Sequence, residues 1–424
     1  MEKAEEYAGY AAVLEHELVP AMGCTEPIAV SYAAAIAAKR LGGFPDRMLA
    51  EVSANIVKNV KSVVVPNTGG LCGIEASVVA GFVAADPDAK LEVLAKIKPE
   101  DREAIAAHMK EHKVEVVPTK EPDVFYIRVE GERAGKTVSV TIRSSHTNVT
   151  RIVENGVTVF EKNDVPQQEE PPEASWSIPA LIDAARRMPL DRIEPLIARQ
   201  IRCNMQIAQE GLDHPWGASV GATLVRRAKA RGDTVFAARG TAAAASDARM
   251  NGCEMPVVII SGSGNQGITA CVPVVVFAES LKAEPEALLR AVLLSDLVTI
   301  CLKQGIGKLS AYCGAIAAGA GAAAGIAMLK GNEDRVIADS ITNALAVASG
   351  IICDGAKSSC AGKIALSVEN AAMAVSMAEE GHVYKSGDGI VQANVDGTAR
   401  AVGRIASRGM VGTDREIIDV MLGR

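Results

Sequence analysis

The spacing of apolar positions changes character along the chain. Before residue 165 two periods coexist. Segments 25–40, 73–84 and 99–112 repeat apolar residues every three or four positions and read as helices. Segment 49–65 alternates enough to read as a strand, and 124–129 with 137–142 reads as a hairpin around the polar stretch 131–136. After residue 175 the helical period takes over, in 177–188, 191–210, 216–230, 285–303, 311–330, 333–349 and 362–378. Between the two regimes, residues 163–175 hold three prolines and four acidic residues without any apolar period, the pattern of a linker. The expected fold class is therefore α+β: a mixed α/β domain over 1–165, a linker over 166–175 and a mostly all-helical domain over 176–424.

Composition narrows this further. A chain of 424 residues that is 49% hydrophobic and only 3% aromatic must build its core from Ala, Val, Ile and Leu, which favours closely packed helices. A formal net charge of −7 leaves no general footprint for nucleic acid but allows a local basic pocket for a small anion. The apolar run 314–329 is rich in Ala and Gly and falls short of the roughly 20 residues of a membrane span. The opening MEKAEEYAGY is polar and acidic rather than secretory, so a cytoplasmic protein is expected. Nine cysteines, an odd number, then suggest reduced thiols, some buried and some reactive or metal-binding.

Several segments carry candidate chemistry. Gly262-Ser-Gly-Asn-Gln-Gly267 matches G-x-G-x-x-G but has no second strand after its helix, so a dinucleotide site is disfavoured. The Lys357-Ser358 pair lacks the glycine spacing of a phosphate loop. Lys308 and Lys357 could form a pyridoxal aldimine, but no large parallel α/β domain is in view. Pro66 to Ile74 and Gly262 to Ile268 both look like glycine-rich loops feeding helix N-termini, which can hold a carboxylate or simply be tight turns.

Cys313, Cys353 and Cys360 form the strongest constellation. Cys353-Asp-Gly-Ala-Lys-Ser-Ser-Cys360 is a polar loop able to aim two thiolates at one metal, the alternative being three buried structural cysteines. Cys24, in Gly23-Cys24-Thr25-Glu26-Pro27, precedes a helix whose N-terminus should lower its pKa; a buried turn cysteine is the competing reading. Ser144-Ser145-His146-Thr147-Asn148 can hold a carboxylate or pass a proton, or can be a hydrogen-bonded turn. His16, His108, His112, His214 and His382 show no metal spacing, and His108 and His112 are expected to be solvated.

Taken together, Gly23 to Pro27, Val65-Pro-Asn-Thr-Gly-Gly70, Ser144 to Asn148, Gly262 to Ile268, Gly307-Lys-Leu-Ser-Ala-Tyr-Cys-Gly314 and Ile352 to Cys360 resemble the iron–sulfur L-serine dehydratases, and more closely their relatives the L-cysteine desulfidases. The likeness runs through most of the chain. It implies a [4Fe-4S] cluster on Cys313, Cys353 and Cys360 with one iron free of cysteine, and Cys24 as catalytic proton acceptor. It also implies substrate contacts from Asn67, Thr68, Ser144, Ser145, His146, Thr147 and Asn265. Two departures from the dehydratases lean toward the desulfidases: the last two cluster cysteines are closer together, and no cysteine follows Cys360.

The implied reaction is β-elimination without pyridoxal, from L-cysteine to pyruvate, ammonia and hydrogen sulfide. L-serine dehydration and a non-enzymatic iron–sulfur sensor are the alternatives. The expected partner is a small amino acid, with no nucleic acid and no membrane; a homo-oligomer is compatible with these readings.

Overall fold

The structure is a computed structural model and describes residues 2–162, 176–307 and 309–423. The expected linker over 166–175 and Lys308 lie outside the described residues.

The first half begins with α1 (Glu2–Glu17), β1 (Pro20–Met22), α2 (Thr25–Leu41), β2 (Arg47–Val52), α3 (Ala54–Val60), α4 (Gly73–Ala84) and α5 (Pro99–Glu111). It continues with β3 (Val114–Pro118), β4 (Tyr126–Arg133), β5 (Lys136–Arg143), β6 (Val149–Glu154) and β7 (Val157–Glu161). Strands β3-β2-β4-β5-β6-β7 form a six-stranded sheet in that order, parallel between β2 and β3 and antiparallel elsewhere. Helix α2 packs on β4 and β5 with α4 beside it, Phe82 of α4 and Leu41 of α2 both reaching Gly131 of β4. The two helices approach so closely that a Cβ on Gly81 would lie 2.2 Å from the Ser31 carbonyl oxygen.

The expected strand over 49–65 is corrected. Strand β2 stops at Val52, and α3 follows after Ser53. Alternation ends there because Ile56 and Val60 recur at a helical interval and are both buried.

The second half holds α6 (Ile178–Arg187), α7 (Glu194–Asp213), α8 (Val220–Arg231), α9 (Thr234–Met250), β8 (Pro256–Val258), α10 (Gly264–Leu281), α11 (Pro285–Ile306) and α12 (Gly314–Leu329). It ends with α13 (Asp334–Ala348), α14 (Cys360–Glu379), α15 (Val395–Arg404), a π-helical turn (Ile405–Gly409) and α16 (Val411–Leu422). Helix α12 is the centre: it contacts α10, α11, α13 and α14 and is buried on all sides, which is why its sequence is apolar throughout. Its glycines admit these neighbours; a Cβ on Gly321 would sit 2.2 Å from Thr299 Oγ1. No helix among the described residues is long and apolar enough to cross a membrane.

Two features join the halves. Strand β8 pairs antiparallel with β1, placing Pro20 opposite Val258. Helix α1 lies on the helical side, where the Tyr10 ring meets Trp176 edge-on and Arg192 grips both Glu15 carboxylate oxygens at 2.6 Å.

Candidate functional site

Four helices start at one place. Cys24 is the N-cap of α2, Ser263 that of α10 and Cys313 that of α12, while Cys360 opens α14. All four residues line a cavity of about 100 Å³, joined by Cys353 from the loop before α14. The loops are held to this geometry by the backbone. The Cys313 N–H donates to the Ile351 carbonyl (3.1 Å) and the Cys353 N–H to that of Ala311 (2.6 Å). Gly23 and Gly355 have positive φ and lie where a Cβ would strike Pro66 Cγ or the Lys58 carbonyl oxygen, at 2.2 and 2.3 Å, so glycine is required at both. The Thr25 hydroxyl donates to the Gly262 carbonyl (2.7 Å), tying the Cys24 turn to the glycine-rich loop before α10. Four helix N-termini give the cavity unpaired N–H groups and a positive potential suited to anions.

Side-chain charge adds to this. Arg249, at the end of α9, is 2% exposed and lines the cavity; its Nη1 donates to Asn265 Oδ1 (3.1 Å), and its Nε has no hydrogen-bond partner. Lys303 reaches in from α11, and burial pulls its pKa down to about 8 against the opposing pull of Cys353, Cys313 and Glu26. Lys363 donates to the Ile352 carbonyl (2.8 Å) and pairs with Asp354.

Glu26 is the acidic hub. Its Oε2 accepts from the Cys24 thiol and the Thr25 hydroxyl, each at 3.2 Å, and its Oε1 accepts from the Asn59 amide (3.1 Å) and lies 4.0 Å from His146 Nε2. The expected depression of the Cys24 pKa is therefore reversed. Burial, and then the Glu26 charge, push the thiol well above its ordinary value, with Arg249 pulling the other way.

Of the expected substrate residues, Asn265 lines the cavity. His146 stands behind Glu26, its ring edge-on to Phe125 with centroids 4.9 Å apart. Asn67 and Thr68 are occupied in their own loop: the Asn67 amide donates to the Leu94 carbonyl (2.8 Å) and the Thr68 hydroxyl to that of Val65 (2.7 Å). Ser144, Ser145 and Thr147 belong to the turn between β5 and β6, where the Ser145 N–H donates to the Arg143 carbonyl (2.7 Å) and Thr147 is exposed. None of these five lines the cavity. Arg249, Lys303, Gln266, Asn59 and Lys363 do, and sequence reasoning missed them.

His108, Glu111 and His112 correct a further expectation. Their ligand atoms lie within 4.8 Å of one another, the one such group among the described residues. His108 is not solvated but stacked on Phe44, centroids 3.6 Å apart.

Cys313, Cys353 and Cys360 line one cavity, and three thiols around one space are a donor set of the kind that holds a metal centre. Burial and the neighbouring thiols push Cys313 up to about 12 and raise Cys360, so a nearby positive centre would favour both of these thiolates. The four N-termini and three basic side chains are also matched to an anionic occupant.

Comparison with known proteins follows the same direction. The serine dehydratase alpha chain family matches residues 88–419. A UPF0597 protein of Desulfitobacterium hafniense is 43% identical over 420 residues, covering 99% of this chain and 97% of its own. One from Treponema denticola is 40% identical over 422 residues, covering 97% of each. One from Fusobacterium nucleatum is 39% identical over 415 residues, covering 96% and 97%.

Proposed function

The chain belongs to the family of serine dehydratase alpha chains, and from that membership we propose that it is a pyridoxal-independent β-elimination lyase converting L-cysteine to pyruvate, ammonia and hydrogen sulfide. The observation that carries the reading is the convergence of Cys24, Cys313, Cys353 and Cys360 on one cavity containing a buried arginine. Cys313, Cys353 and Cys360 would hold a [4Fe-4S] cluster. When bound, the cluster supplies a Lewis-acid iron that stabilises charge on the departing group.

The protein's own residues do the rest. Arg249, with Asn265 beside it, holds the substrate carboxylate, a planar match for a guanidinium. The Cys24 thiol loses its proton to solvent against the opposing charge of Glu26, and the resulting thiolate takes the α-proton from the substrate. The Cα–H electron pair forms the Cα=Cβ bond as the Cβ–S bond breaks. Sulfide takes a proton and leaves, and the aminoacrylate tautomerises and hydrolyses to pyruvate and ammonia. His146, next to Glu26, positions that carboxylate.

The test is anaerobic purification followed by iron analysis and parallel assays of sulfide and pyruvate from L-cysteine and L-serine. Iron with sulfide release from cysteine is expected. Pyruvate from serine alone would move the chain to the dehydratase reaction, and iron without either activity would make it a sensor.

A further inference from the structure

A second, larger concavity shares none of its lining residues with the cysteine cavity. It is a groove of about 820 Å³ along α15 and the π-helical turn, within the usual range for small-ligand sites. Arg400, Arg404 and Arg408 stand along it at four-residue intervals on one helical face, and Gly389, Ile390 and Gln392 are among the residues lining the rest. All three arginines are exposed; among the described residues none makes an ion pair, and no acidic residue is among those lining the groove. The neighbouring acids are engaged elsewhere. Asp388 Oδ2 accepts from the Lys385 N–H and Asp396 Oδ1 from the Ile178 N–H, both at 2.7 Å.

We propose that this groove binds a small anion carrying two or more phosphate groups. Eight residues separate the first arginine from the third along the groove, so a ligand with more than one anionic group matches the row better than a single phosphate. Guanidinium pairs with phosphate oxygens bidentately, and three in a row without carboxylates match a chain of phosphates. A nucleic acid is the poorer occupant, because the chain as a whole carries −7 and would repel a long polyanion beyond the groove.

The location has a structural corollary. The Ala406 carbonyl of the π-helical turn accepts from the Ser310 hydroxyl (3.0 Å), and Ser310 also lines the cysteine cavity. Asp414 of α16 pairs with Lys58, whose Nζ also lies 3.5 Å from the Cys353 carbonyl. The π-helical turn that carries part of the groove is thus tied to the cysteine cavity by the Ser310–Ala406 hydrogen bond.

The experiment is calorimetric titration of the full-length protein with pyrophosphate, run beside tripolyphosphate, citrate and a short duplex DNA at two salt concentrations. Saturable pyrophosphate or tripolyphosphate binding that weakens with salt is expected. In Arg404→Ala/Arg408→Ala it should weaken by at least about tenfold for each arginine removed. Both positions are exposed, and an unchanged thermal melt without ligand verifies that the variant folds. Absence of saturable phosphate binding, binding retained in the double variant, or binding by DNA or citrate alone would each overturn the proposal.

Discussion

The Cys24 thiol donates to Glu26 Oε2 across 3.2 Å at the first turn of α2. A helix N-terminus alone would favour the thiolate. Here burial and the carboxylate outweigh it, so the thiol is held protonated until a base accepts its proton.

Glu26→Gln removes the charge that opposes thiolate formation, so the Cys24 pKa falls. The rise of kcat/KM with pH should therefore move to lower pH than in the parent. A pH–rate profile that stays in place would mean that Glu26 does not govern this thiol.

Cys24→Ala should keep the parent's iron content and visible spectrum while losing about 10²- to 10⁴-fold in kcat, the usual cost of removing a positioned base. Cys24→Ser should be nearly as poor. Loss of iron in either variant would make Cys24 a ligand instead.

Cys313→Ala, Cys353→Ala and Cys360→Ala should each lose iron. Cys203→Ala and Cys301→Ala should retain it, since Cys203 is buried in α7 and the Cys301 thiol donates to the Trp176 carbonyl, and neither lines the cavity. Iron-to-protein ratios after anaerobic reconstitution separate the two groups.

Arg249→Met should raise KM more than tenfold with a smaller change in kcat and no loss of iron, because the guanidinium holds a carboxylate present in both substrate and transition state. Steady-state kinetics on L-cysteine would read this directly; an unchanged KM would place the carboxylate elsewhere.

Asp296, fully buried on α11, has a pKa raised to about 8 by desolvation, with the Gln200 amide (2.9 Å) pulling the other way. Unfolded, it ionises near 3.8. Between these values the folded state binds the extra proton, so this group's stabilisation is complete below about pH 4 and is lost as pH rises toward 8. Asp296→Asn should flatten that slope, measured as urea midpoints from pH 5 to 8.

The helical period of residues 73–84 returned α4 with its observed bounds, and the pairing of β4 with β5 was legible, although both strands run further into the expected 131–136 stretch than their alternation showed. Residues 49–65 misled because apolar side chains continue from β2 into α3 with only Ser53 between them. Cys24 and the three-cysteine set could be named through several short motifs taken together. Arg249, Lys303 and Asn59 could not, being common residues on three separate helices that converge only in three dimensions. The Ser144–Thr147 cluster shows how a motif can be spread out by its fold: its residues form a turn after β5, with His146 alone facing Glu26.

The short ribbon of β1 and β8 has a consequence for how the protein is made. It sets the Cys24 turn and the Gly262 loop side by side, and the Thr25–Gly262 hydrogen bond that follows joins residues 237 positions apart. Closing so long a loop is slow compared with forming local helices. During synthesis the Cys24 turn emerges long before its partners on α10, α12 and α14, so its thiol stays uncovered through most of translation. Oxidants met at that stage reach a sulfur that the finished protein keeps 4% exposed.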